Sequence, residues 1–239
     1  TAVFLLAAFA WCRSMAYTFA ESAAGAIIVV FMALSLVHQI GFYSGSPLPA
    51  LIVETAAVAA LLLAGRRRLS GLRRPPVEAK HLWRQETLSV AIIAAGWLAM
   101  VIFVLATWGA LVPAPIGSLW QRLLTVPTMA GFRSAGIADP IPLLNAPALF
   151  THTTRFGLAP NALGVGIMAH MAVGFSTYAL ARRHAWPPMA LIVSLLVLSM
   201  PRLIFVSLFP SAETISTAAV VFAVLLLYRL VEQHRPWDL

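Results

Sequence analysis

Between Trp108 and Asn161 the chain carries Arg122, Arg133, Arg155 and Asp139, the one aspartate of its interior, and further on stand Arg202 and Glu213, eleven positions apart. A carboxylate can take the proton of an attacking hydroxyl, and an arginine fork can hold a phosphate through paired hydrogen bonds. Asp139 and Glu213 are therefore candidate catalytic acids or bases, and Arg122, Arg133, Arg155 and Arg202 candidate phosphate binders. Each has a plainer reading. Asp139 precedes Pro140, and Asp-Pro is a common turn pair. Glu213 follows Pro210-Ser211 and suits the first turn of a helix, where a negative charge meets the positive end of the dipole. Arg202 is more telling, because it follows Pro201 inside an apolar run. A charge there costs at least about 2.5 kcal/mol unless it is paired or hydrated, so Arg202 is expected to face protein or water.

What must position these groups is set by composition. The 239 residues are 61% hydrophobic and 10% charged, with a mean hydropathy of +0.89; soluble domains carry roughly a quarter charged residues. An all-α, polytopic membrane bundle is the expected fold. The net charge of +8 falls in short clusters beside apolar runs of about 18 to 23 residues, the way membrane topology is written, and no nucleic-acid partner is expected. The single cysteine, Cys12, excludes an internal disulfide and a cysteine cluster for metal, and reads as small apolar filler. No His-Cys or His-Glu spacing points to a metal, heme or other cofactor, which leaves only a divalent ion on Asp139 or Glu213 as an open alternative. The chain opens at Thr1 inside an apolar run without a charged leader, and further residues are expected before it.

Seven spans are expected. Residues 1–12 form a half-span ending at Arg13; Ala20 to Phe42 and Pro49 to Gly65 complete an N-terminal group over 1–65. Tyr43 to Pro47 reads as the turn between the last two. The loop 66–85 holds Arg66, Arg67, Arg68, Arg73, Arg74, Lys80 and Arg84 against Glu78 alone, which marks it as cytoplasmic; contact with anionic lipid would follow from such a loop. The region 86–239 then runs Glu86 to Trp108 outward, leaves 109–160 periplasmic, returns along Asn161 to Ala181, goes out along Met189 to Phe209 and comes back along Ala212 to Leu230. Twelve basic residues then lie inside and four outside. A multi-pass protein of a bacterial inner membrane is expected. Within 109–160, Leu119 to Met129 fits a short interfacial helix, and Leu143 to Phe150 is too short to span; without a ligand the segment reads as a re-entrant or surface-lying lid. His38 and Glu54, on neighbouring spans, are placed to pair or relay a proton, and His170 to make a helix-to-helix hydrogen bond.

Leu144-Asn145-Ala146-Pro147-Ala148-Leu149, the return helix ending Tyr178-Ala179-Leu180-Ala181-Arg182-Arg183, and Ser199-Met200-Pro201-Arg202 followed by Ser211-Ala212-Glu213-Thr214 resemble elements of the GT-C class of integral-membrane glycosyltransferases, over roughly residues 86–230. The resemblance implies transfer of a sugar from a polyprenyl-phosphate carrier on the periplasmic side, with a carboxylate as base and a cation on the departing lipid phosphate. The family places an aspartate near the start of its first long loop, where this chain reads Gly117-Ser118-Leu119-Trp120-Gln121-Arg122. The nearest acid is Asp139, so transfer needs a rearranged loop or has been lost. Two other classes stay open. One is a non-catalytic subunit packed in a larger membrane complex. The other is a transporter, for which the chain shows no internal repeat.

Overall fold

The computed structural model describes residues 2–14, 18–44, 48–69, 79–111, 161–207 and 212–233, and every regular element among them is helical. In chain order these are α1 (Ala2–Ser14), α2 (Phe19–Ser44), α3 (Leu48–Leu69), α4 (Ala79–Leu111), α5 (Asn161–Ala181), α6 (Pro187–Leu198), α7 (Pro201–Ser207) and α8 (Ala212–Gln233). By length and composition two stretches among the described residues could cross a membrane, Phe19–Val37 and Thr214–Glu232; α1, α3, α4, α5 and α6 contribute shorter apolar stretches.

The helix ends follow from local chemistry. Thr18 caps α2: its backbone N–H donates to Glu21 Oε2 at 2.8 Å, and the Glu21 N–H donates to Thr18 Oγ1 at 3.3 Å. This reciprocal pair satisfies two donors that a helix start leaves bare. After α5 a tight turn closes with the His184 and Ala185 amides donating to the Ala181 carbonyl. Trp186 is extended, as a residue before proline must be, and Pro187 opens α6 where a missing N–H costs nothing.

Two boundaries differ from the sequence expectation. The third helix runs through Arg66, Arg67 and Arg68 to Leu69, because arginine ends an apolar run without ending a helix. The expected single span Met189 to Phe209 is two helices. Pro201 has no N–H for the ladder, the chain tightens through the Met200 amide donating to the Val197 carbonyl at 3.2 Å, and α7 starts afresh with Ile204 donating to Met200.

α5 is the centre of the bundle and packs against α2, α4, α6, α7 and α8. It is buried on nearly all sides, as a helix apolar all round should be. Small residues let its neighbours close in. A methyl group at Gly174 would lie 2.8 Å from the Leu198 side chain, and one at Gly166 would run into the backbone carbonyl of Ser207. Ser194 of α6 donates to the Gly174 carbonyl at 2.8 Å, and the Trp97 indole of α4 donates to the Ile167 carbonyl at 2.8 Å. The N-terminal helices join through α2, which packs on α1, α3, α5 and α8. There Gly25 makes room for Phe222 and for the buried Cys12.

Candidate functional site

The two ends of the bundle differ in chemistry. At one end the charges are locked to each other. The Glu21 carboxylate, 3% exposed, accepts from Arg183 Nη2 of the α5–α6 turn at 2.5 Å and from Arg229 Nη1 of α8 at 3.2 Å. Arg183 also pairs with Glu232 of α8, His184 stands edge-on to Tyr228 with ring centroids 5.0 Å apart, and Arg13 of α1 is within electrostatic reach of Glu86 of α4. This network consumes its charges, so it fastens helix ends and leaves little to bind a ligand. Its basic members were legible in the sequence as charges beside apolar runs. The legible signal was Thr18-x-x-Glu21 before an apolar stretch, a helix-start signature that also fixes where the carboxylate points.

At the other end a cleft of about 450 Å³ opens between α7 and α8, lined by Met200, Arg202, Leu203 and Val206 on one wall and Thr214, Ser216 and Thr217 on the other. The break before Pro201 releases Arg202 from the helix ladder of α6 and leaves it exposed at the start of α7. Thr214 is wholly buried, and its Oγ1 has no hydrogen-bond partner among the described residues. A buried hydroxyl left unpaired costs roughly 1–3 kcal/mol. Thr214 also lies in the first turn of the 22-residue α8, where the helix dipole favours an anion. Arg202 is the charged residue among the described residues lining this cleft, and its planar guanidinium fork is suited to an oxyanion.

Of the residues singled out in the sequence, Arg202 lines this cleft. Glu213 directly precedes Thr214 in α8, so its backbone is beside the cleft; its side chain is outside the described residues, as is that of His38, the expected partner of Glu54. Asp139, Arg122, Arg133 and Arg155, the rest of the 112–160 stretch and the loop at 70–78 lie outside them too. His170 is wholly buried in α5 with the Leu198 backbone of α6 beside its ring, the neighbouring-helix contact expected of it, although among the described residues neither ring nitrogen reaches full hydrogen-bond geometry. Thr214, Ser216 and Thr217 were not singled out; the signal present was a cluster of hydroxyls opening an apolar run. Among the described residues no group of three His, Cys, Asp or Glu side chains could hold a metal ion.

Set against protein-family models, characterised proteins and solved structures, the chain matches none of them, so the Arg202 cleft and its surroundings carry the functional reading.

Proposed function

We propose that the chain is a multi-pass protein of about seven spans in a bacterial inner membrane, and that it holds the phosphate of a polyprenyl-phosphate-linked sugar in the Arg202 cleft on the periplasmic side, as a glycosyltransferase of the lipid-linked class would. The observation that carries this is a cleft that Arg202 lines from the start of α7 opposite the first turn of α8, where the helix dipole favours an anion. A membrane setting is supported by an apolar exterior: Leu6 is 70% exposed, Phe103 64% and Leu36 63%, a surface that water would penalise heavily. The orientation is supported by the locked end, which gathers Arg13, Arg183 and Arg229, residues that the positive-inside rule keeps in the cytoplasm. Along α8, Thr214 and Glu232 are separated by about 27 Å of helix, close to the thickness of a hydrocarbon core.

In this reading the cleft neutralises the lipid phosphate as the glycosidic bond breaks, with Arg202 as the cation and the α8 hydroxyls as donors. Glu213 or Asp139 takes the proton of the acceptor hydroxyl, and Arg122, Arg133 and Arg155 are further phosphate contacts from the periplasmic segment.

Replacing Arg202 by alanine should weaken binding of a polyprenyl phosphate to the nanodisc-embedded protein by about 10- to 100-fold, the value of a hydrogen bond to a charged group, and abolish sugar transfer with the fold intact. Unchanged binding, or dissociation of the variant from partner subunits instead, would overturn the proposal and favour a non-catalytic subunit. Orientation has its own check. Because Cys12 is buried, the native chain should be silent to an impermeant thiol reagent. A cysteine at Ser70 should stay shielded in intact cells and one at Ser134 should react; the reverse pattern would invert the topology.

A further inference from the structure

The break between α6 and α7 disturbs the helix ladder, and each carbonyl it frees needs a donor if it is buried. The Ser199 amide serves the Leu195 carbonyl, the Ser199 hydroxyl serves Leu196, the Met200 amide serves Val197 and the Ile204 amide serves Met200. No backbone amide among the described residues donates to the carbonyl of Leu198 or of Ser199. Ser199 is exposed, but Leu198 is buried. Beside the Leu198 backbone stands the wholly buried ring of His170, whose nitrogens fall short of full hydrogen-bond geometry with anything among the described residues. Two buried polar groups in want of partners therefore lie side by side, one able to donate and the other to accept. We propose that His170 serves the Leu198 carbonyl, holds the break open and so acts as a positioning residue for Arg202. Its consequence for ligand binding rests on the phosphate reading above; its role at the break does not.

Helix packing puts His170 in this place. Gly174 follows it by one turn on the same face of α5, and a methyl group at Gly174 would lie 2.8 Å from the Leu198 side chain, so this face meets the end of α6. Ser194 fastens α6 to the Gly174 carbonyl at 2.8 Å. The two helices run antiparallel across their tight turn, and one turn beyond that bond Leu198 comes level with His170. What His170 opposes is the other course open to a proline inside a helix, where the ladder resumes past the ring and the chain only bends. In that arrangement the Arg202 amide would donate to the Leu198 carbonyl, four positions back, and α6 and α7 would run on as one kinked helix. Arg202 would then leave the backbone in a different direction, and the α7 wall of the cleft would turn with it. The carbonyl thus has two competing donors, His170 across the bundle and Arg202 along the chain. A donor from a neighbouring helix removes the need for the second.

Hydrogen exchange of the Arg202 amide, measured on the full chain in nanodiscs, reports which donor is used, because in the broken arrangement this amide opens α7 without a ladder acceptor. His170→Leu removes the donor while keeping most of the volume. It should slow exchange at Arg202 on the order of tenfold, the size of one net hydrogen bond, and weaken binding of farnesyl phosphate by a similar factor. His170→Gln keeps an N–H and should return both towards wild type. His170→Ala is a second donor-free variant should leucine fold poorly, with folding checked by gel filtration. A ring that merely fills space would give the opposite sign on replacement, faster exchange across α6 and α7; that result overturns the proposal, as does unchanged exchange in both donor-free variants. Slower exchange with farnesyl phosphate binding unmoved, where Arg202→Ala does weaken it, overturns the positioning role. Slower exchange with no effect of Arg202→Ala on binding upholds His170 at the break and overturns the phosphate reading alone.

Discussion

Replacing Glu21 by alanine is expected to destabilise the protein by about 3 kcal/mol, near the lower end of the range for breaking a buried ion pair. The carboxylate accepts from Arg183, Arg229 and the Thr18 amide together, so its removal unfastens the ends of α2, α5 and α8 at one stroke. The lower end applies because Arg183 and Arg229 keep 17% and 16% of their side-chain surface exposed and regain some water. Glutamine separates the two roles of this residue: it can still serve as the reciprocal partner in the cap, but it brings no charge to the arginines. Glu21→Gln should therefore fall between alanine and wild type, and a double-mutant cycle with Arg183→Ala should show a coupling of about 0.5–3 kcal/mol. Unfolding in detergent by heat or denaturant reads all of these. A Glu21→Ala protein within about 0.5 kcal/mol of wild type, the level of an ordinary surface change, would mean that this network does not hold the helix ends.

Gly166→Ala should cost more than Gly174→Ala, and it should also weaken ligand binding at a distance. Both glycines lie on α5 where another helix comes close, but what a methyl group would meet differs. At Gly174 it would press on the Leu198 side chain, whose terminal carbons can swing aside; at Gly166 it would meet the Ser207 backbone, which cannot move without α7. Forcing an extra methyl into a packed contact costs about 1–3 kcal/mol, and the upper part of that range is expected at Gly166. Because α7 also carries Arg202, displacing it should widen or skew the cleft and lower affinity for a prenyl phosphate although Gly166 does not line it. Equal stability of the two variants, or unchanged affinity in Gly166→Ala, would contradict this coupling of the α5–α7 contact to the cleft.

Much of the fold was legible because its causes are local. Apolar run lengths marked the helices, and Asn161 to Ala181 was bounded correctly by the sequence alone, since Arg182-Arg183-His184 and Pro187-Pro188 punctuate it. Arg202 was legible for the same kind of reason: a charge after a proline inside an apolar run has to find water or a partner wherever the run ends up. Pro201 was equally visible, but whether a proline bends a helix or ends it depends on what packs around the freed carbonyls, and here the chain stops and restarts. The rest was decided by which helix faces which. Glu21 meets arginines 162 and 208 positions away, a pairing no local pattern encodes. Hydroxyls in apolar helices usually return to a carbonyl one turn back and say nothing of function; that Thr214 stands beside the Arg202 cleft follows only from the packing of α8 on α7. Hydropathy, caps and prolines act over a turn or two of chain and so are written in the sequence, whereas a binding cleft is the space left between helices, which exists only once they have packed.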